Sequence, residues 1–188
     1  MNPKSDYLKF LELNEKNIND KNSFIVAAFY KFFDLKNIAD FQDSLKLIFS
    51  NTSVKGTILL ANEGINGTVA GIPREIDKVL NELWNLDSLY DLQPKYSFAH
   101  QNPFFRMKIR LKKEIVTLGV KNVSPNKEVG QYIKPEKWNR LLDDESLILI
   151  DTRNDYEVSI GSFEKAINPN IKSFREFPNW VAENLINK

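Results

Sequence analysis

Strand-like and helix-like segments follow one another in the order strand, helix, strand, strand, helix, strand. That order predicts a ferredoxin-like α+β fold, a βαββαβ unit over residues 23–119. Two further observations extend the prediction. Residues 120–130, VKNVSPNKEVG, are polar and contain Pro and Gly, which reads as a linker. Beyond them lies a short unbroken apolar run, SLILI at 146–150. This is the pattern of a strand buried on both faces of a parallel sheet, so residues 131–188 read as part of a second, α/β unit.

Residues 1–22 are polar and weakly periodic, and read as an N-terminal extension or a short helix. The segment SFIVAAFYKFF (23–33) is aromatic and β-branched, the composition of a buried strand. Asn37 is placed to cap a helix in which Ile38, Phe41, Leu45 and Ile48 recur at helical spacing. VKGTILLA (54–61) and INGTVA (65–70) flank the turn Asn62-Glu63-Gly64 and predict a hairpin. Pro73 suits a first helical position, and Ile76, Val79, Leu80, Leu83 and Trp84 then line one helical face. FFRMKIRLKKEIVTL (104–118) alternates apolar with polar residues and predicts a long final strand. The expected result is an antiparallel sheet with two helices on one face. In the second unit Pro135 opens a helix carrying Trp138, Leu141 and Leu142. Ser173 and Glu176 form the sequence of a capping box ahead of Phe177, Trp180, Val181 and Leu185, with Pro178 inside the pattern.

Composition narrows the function classes. The 188 residues suit one domain or two small ones, with 42% hydrophobic and 27% charged residues. Thirteen Phe, three Trp and six Tyr supply a packed core and argue against disorder. The longest apolar run, residues 24–30, falls far short of the roughly 18 residues of a membrane span. The N-terminal residues lack a signal-peptide core, so the expected location is cytoplasmic. Cysteine is absent, which excludes disulfides, thiolate metal sites and a cysteine nucleophile among these residues. One histidine, His100, leaves almost no material for a histidine-built metal centre or a Ser-His pair, and no metal site is expected.

Three constellations remain. Between Leu92 and Lys113 stand six basic residues, Lys95, Arg106, Lys108, Arg110, Lys112 and Lys113, and no acid. In a strand, Arg106, Lys108, Arg110 and Lys112 share one face, with same-face neighbours roughly 6.6–6.8 Å apart. That spacing suits successive phosphates of an extended nucleic-acid strand; a solvated face is the alternative. The second constellation is ANEGINGTVAG (61–71). Its Asn62, Gly64, Asn66 and Gly67 form either an anion-holding loop or a tight hairpin with glycine at positive φ. This segment looks like the glycine-valine-glycine stretch of acylphosphatases. Those enzymes need an arginine after the first strand, where FYKFFDLKN offers only Lys31 and Lys36, so that activity is not expected. The third is LILIDTRNDYEV (147–158), where Asp151 and Arg153 end a strand, the place where α/β sheets put their sites. The alternative there is a structural ion pair between Arg153 and Glu157.

Five ordered blocks carry a family resemblance: KGTILLANEGINGTVAG (55–71), PFFRMKIRLKKEIVTLG (103–119), YIKPEKWN (132–139), IDTRNDYE (150–157) and INPNIKSFREFPNW (167–180). Over residues 23–188 the sequence resembles the rhodanese-domain tRNA uridine hydroxylases, which oxidise a wobble uridine of tRNA to 5-hydroxyuridine. The resemblance implies an acylphosphatase-like βαββαβ domain followed by the first half of an α/β rhodanese domain. It implies tRNA as the partner, a dependence on molecular oxygen and prephenate, and no cofactor bound within these residues. The essential cysteine of the family would lie beyond Lys188. GSFEKAIN (161–168) departs from the commoner Gly-His-x-x-Gly-Ala-Ile-Asn, with Ser162 for the histidine and Lys165 for the glycine. Two function classes stay open: the N-terminal portion of such an enzyme, or a non-catalytic RNA-binding module, with a rhodanese sulfurtransferase as a weaker third.

Overall fold

Every second residue of Phe24–Phe32 (β1) is driven out of water. Ile25, Ala27 and Phe29 are buried while Val26, Ala28 and Tyr30 are not. In a computed structural model, which describes residues 2–18, 23–120, 123 and 130–185, β1 lies inside a five-stranded sheet. The chain divides into two compact units, Met1–Ile115 and Val116–Lys188.

The first unit opens with α1 (Pro3–Leu13) and the short α2 (Glu15–Ile18). Ile38–Ser50 forms α3, Lys55–Ala61 β2, Gly64–Gly71 β3, Pro73–Trp84 α4, Lys95–Ala99 β4 and Met107–Leu111 β5. The sheet order is β4-β1-β3-β2-β5, antiparallel except for the β2–β5 pair. The first four strands make the expected ferredoxin-like arrangement. Leu45 and Phe49 of α3 and Ile76, Val79, Leu80, Leu83 and Trp84 of α4 pack with Ile25, Phe29, Ile58, Leu60, Ile65 and Val69 of the sheet in one core. Burying each such side chain is worth about 1.5–3 kcal/mol.

The structure corrects the sequence reading at two places in this unit and decides between its two readings of the N-terminal residues. Those residues contain α1, capped by Asn2, whose Oδ1 accepts from the Lys4 amide at 3.1 Å. Tyr7 of α1 is buried against Trp84 and Tyr96, and Phe10 stacks on Phe98 at 5.0 Å. The expected final strand 104–118 shrinks to β5, which is not the fourth strand but a fifth, added in parallel beyond β2. The fourth strand is β4, on the opposite edge. β5 ends early because the chain after Lys112 is drawn away: Ile115 donates its amide to the Glu63 carboxylate at 2.7 Å and is buried. The sheet is therefore mixed rather than antiparallel throughout.

In the second unit Pro135–Leu142 forms α5, Asp155–Val158 the short α6, and Phe177–Asn184 α7, preceded by a 3₁₀ turn at Phe174–Glu176. The expected doubly buried strand at 146–150 does not form among the described residues. Ile150 makes an isolated parallel bridge with Ile167, and Ile148 is 61% exposed. Residues 173–176 do not cap a helix; they wind the 3₁₀ turn, and Pro178 sits in the first turn of α7, which starts later than the pattern implied. The capping box that does form joins Asn154 and Glu157 at the start of α6. Most of the expected linker 120–130 lies outside the described residues. No helix among the described residues is long and apolar enough to cross a membrane.

Candidate nucleic-acid interface

The sheet buries one face under α3 and α4, and strand alternation sends every other residue to the opposite face. Register then decides which of these outward residues meet. Lys95 of β4 is opposite Ala28 of β1, Ala28 opposite Thr68 of β3, Thr68 opposite Thr57 of β2, and Thr57 opposite Lys108 of β5. One row thus crosses all five strands with a lysine at each end, roughly 19 Å apart at about 4.8 Å per strand. The next row holds Tyr30, Asn66, Leu59 and Arg110. On the other side lies a row of Ser97, Val26, Ala70 and Lys55. The three rows carry Lys95, Lys108, Arg110 and Lys55 and no acid.

Lys108 and Arg110 therefore share a face as the alternation predicted, and Lys95 joins them across the whole width of the sheet. Arg106, Lys112 and Lys113 are exposed but lie outside β5, before and after it. The apolar half of the alternation holds for Met107 and Ile109, which pack on the core, and fails for Phe105 and Leu111, which are 98% and 47% exposed. Lys55 is the residue the sequence reading missed. Its signal was present in KGTILLA, where Lys55, Thr57 and Leu59 alternate with the buried Gly56, Ile58 and Leu60.

Two connecting segments shape the middle of this face. The Asn102 Nδ2 donates to the Ala70 carbonyl at 3.2 Å, and its Oδ1 accepts from the Phe104 amide at 3.0 Å. Phe104 is thereby held over the sheet, where it lines a hollow of about 310 Å³ with Thr57, Leu59, Asn66, Gly67 and Thr68. Asn66 Nδ2 donates to the Ile115 carbonyl at 2.9 Å.

The candidate anion loop is not gathered into one loop. Gly64, Asn66 and Gly67 belong to β3, opposite Phe32, Tyr30 and Phe29 of β1, and only Asn62 stands in the turn. The Asn62 and Glu63 carbonyls accept from the amides of Leu35 and Phe33. Gly64 is at φ 143°, and a Cβ there would meet the Lys31 carbonyl at 2.1 Å, so the hairpin itself demands glycine. Lys31, one of the two cations in the acylphosphatase-like position, pairs with Asp91 and donates to the Ser88 carbonyl at 2.7 Å.

In the second unit Arg153 grips Asp151 rather than Glu157. Its Nε donates to Oδ1 at 2.9 Å and its Nη2 to Oδ2 at 2.6 Å, while Nη2 also reaches the Gly161 carbonyl. Ser162 Oγ donates to the same carboxylate at 2.7 Å. The guanidinium first, and the hydroxyl after it, hold the Asp151 carboxyl well below the usual carboxylate range. Glu157 accepts instead from the Asn154 amide at 3.2 Å. The group sits in the wall of a hollow of about 650 Å³ that Trp138 and Phe163 also line. Its members are all spent on one another, the arrangement of a structural clasp. His100 is an exposed residue just after β4. Among the described residues no three His, Cys, Asp or Glu side chains gather in a metal-binding group.

Residues 24–115 match the UPF0176 acylphosphatase like domain. The chain is 50% identical over 162 residues to the tRNA uridine(34) hydroxylase of Acaryochloris marina, covering 86% of this chain and 52% of that protein. It is 52% identical over 161 residues to the tRNA uridine(34) hydroxylase of Bartonella quintana, covering 86% and 53%. An acylphosphatase from Coxiella burnetii aligns in structure with a TM-score of 0.35 at 12% identity, over 48% of this chain and 96% of that one. The chain spans about half the length of the curated relatives it matches. Over residues 24–115 the chain is thus similar to the UPF0176 acylphosphatase like domain, and over 86% of its length it is similar to the tRNA uridine(34) hydroxylases.

Proposed function

We propose that this chain serves the oxygen-dependent hydroxylation of a wobble uridine in tRNA, and that its acylphosphatase-like unit holds the tRNA on the outward face of the sheet. The relatives named for that activity support the reaction. The observation that carries the binding role is the five-strand row with Lys95 and Lys108 at its ends, flanked by Arg110 and Lys55 without an acid among them. Phosphates are the groups such a face recognises, through charge and without sequence preference. The 188 residues contain no cysteine, so the essential cysteine that the resemblance implies has no counterpart among them, and the role proposed for these residues is binding. In the second unit the blocks around Asp151 and Arg153 support a rhodanese relationship, with prephenate and oxygen as the co-reactants the family uses.

Salt titration tests the binding role. With three or four phosphate contacts on a single-stranded segment, log affinity for tRNA should fall with log salt at a slope of about −2 to −3. Replacing Lys108 and Arg110 together by Ala should reduce the slope by about 1.4, since each contact contributes about 0.7. It should weaken all RNA sequences alike and leave the melting temperature nearly unchanged, because both side chains project from the outward face. An unchanged tRNA titration for this double variant at two salt concentrations assigns the face to solvent.

A further inference from the structure

The cations explain how a phosphate chain is held, but they leave the hollow beside them without a role. Its floor is the outward surface of β2 and β3, where Thr57 and Thr68 stand opposite one another and Leu59 stands opposite Asn66. Phe104 forms its wall. At about 310 Å³ it lies at the lower end of small-ligand sites and has their composition, apolar surface with a few polar groups. Asn66 commits one of its two amide N–H groups to the Ile115 carbonyl, which leaves its second N–H and its amide oxygen to offer. Two threonine hydroxyls add groups that both donate and accept.

At Gly67 the Cβ position points to the core, where it would meet Ile58 Cγ1 at 2.9 Å and Phe29 Cε2 at 3.0 Å, so a side chain at this position would not occupy the hollow. Phe104 is held by two hydrogen bonds from one side chain, Asn102, which ties the connecting segment to β3. The polar sheet surface also lies one strand from cations. Lys108 neighbours Thr57 and Arg110 neighbours Leu59, each about 4.8 Å away across the parallel pair. The next residue in the chain, Phe105, turns its ring to solvent amid six cations and no acid.

We propose that this hollow takes one unpaired nucleobase of a single-stranded RNA segment, stacked on Phe104, with its edge hydrogen-bonded by Asn66, Thr57 or Thr68 and its backbone phosphates on Lys108 and Arg110. The inference rests on the RNA-holding role proposed above and adds what kind of RNA is held. A duplex cannot enter, because its bases are paired and stacked within the helix, whereas a loop can splay a base out onto an aromatic ring. Stacking is indifferent to salt, and phosphate contact is not. The two contributions therefore separate in one titration.

The test uses the 188-residue chain, a fluorescently labelled single-stranded RNA oligonucleotide and an RNA duplex of the same length, titrated at two salt concentrations. The wild type should bind the single strand more tightly than the duplex. Phe104→Ala should weaken single-strand binding by about 5- to 150-fold, the range of one lost base–aromatic stack, with an unchanged salt slope because every cation is kept. Phe104→Leu fills the same space without a π face and should show the same loss. Phe104→Tyr keeps the ring and should bind as the wild type does, so a mere folding defect is distinguished from a lost stack. Equal affinity for the two RNAs, or full single-strand affinity in Phe104→Leu, overturns the inference while leaving the electrostatic face intact. Failure of the wild type to bind either RNA at low salt overturns the RNA-holding role itself.

Discussion

The two units differ in what holds them. Unit 1 has a continuous apolar core in which Ile25, Leu45, Ile58, Leu60, Ile65, Val69 and Leu80 are completely buried. In unit 2, among the described residues, the buried apolar residues are Pro169 and Ile171, while Ile148, Ile160, Phe163 and Ile167 remain largely exposed. Its local order comes from polar geometry instead: the Asp151–Arg153–Ser162 clasp, the Asn154–Glu157 box and the Asn168–Asp155 hydrogen bond at 2.9 Å. The contrast teaches that a segment can be locally well determined by hydrogen bonds without the buried area that makes a unit cooperatively stable. Exchanged water hydrogen bonds leave only about 1 kcal/mol per pair, whereas apolar burial accumulates across a core.

The sharpest way to break this comparison is to remove one apolar side chain from each unit. Leu45→Ala should cost about 2–5 kcal/mol in a urea titration, because the side chain is completely buried and leaves a cavity. Ile148→Ala should cost less than about 0.5 kcal/mol, the ordinary surface result for a residue 61% exposed. Similar losses from the two would refute the contrast.

Acid should act on unit 2 first, with a smaller effect. The Asp151 carboxyl is lowered by its clasp, so it binds protons less readily when folded than when unfolded. Its contribution is then fully present above the unfolded value of about 3.9 and is lost as pH falls below that toward the folded value. Hydrogen exchange at the amides of Asp151 and Ile167, which bond to the carbonyls of Ile167 and Leu149, should therefore speed up below about pH 4 after correction for intrinsic rates. Asp151→Asn should show the faster exchange already at neutral pH and no further acid dependence. Acid-insensitive protection in the wild type would mean that the clasp does not hold the bridge.

The smallest expected effect concerns one backbone angle. Lys165 sits at φ 65°, in the left-handed region that side chains disfavour, at the position where the related motif has glycine. Lys165→Gly relieves that strain but frees the unfolded chain, for a net gain of roughly 0.5 kcal/mol. Slower exchange of the Ala166 amide, which donates to the Phe163 carbonyl at 3.1 Å, would register it. Faster exchange would show that the lysine side chain contributes more than the angle costs.

Much of unit 1 was legible because its elements are self-describing. The alternation in FIVAAFYKF, the Pro73 start of α4 and its stripe from Ile76 to Trp84 each belong to one segment and were read from it. Strand order is not local, and there the reading failed. KYSFA has five residues and an exposed outer side, too little pattern to announce an edge strand, so β5 was taken for the fourth strand. α1 had a readable signal in Asn2, Pro3 and the Tyr7-Phe10-Leu11 spacing, but its flanking charges masked it. Lys108 and Arg110 of the candidate interface were read from alternation and Lys95 from its acid-free window, while Lys55 was missed. The hollow was not read, since Phe104 reaches the sheet only through the bond from Asn102 to Ala70. Likewise Ser162 looked like a weakened motif, and only geometry shows it bonded to Asp151.

The docking of α1 also sets an order of events. Tyr7 and Phe10 are made before the rings they pack on, Trp84, Tyr96 and Phe98, which come from the far end of unit 1. During synthesis this helix must wait, its aromatic side facing water, until α4 and β4 have left the ribosome. Contacts of such long sequence separation form late, because the loop they close is long. Although α1 precedes every strand in the sequence, it is thus the last piece of the unit to settle, at the edge where β4 finishes the sheet.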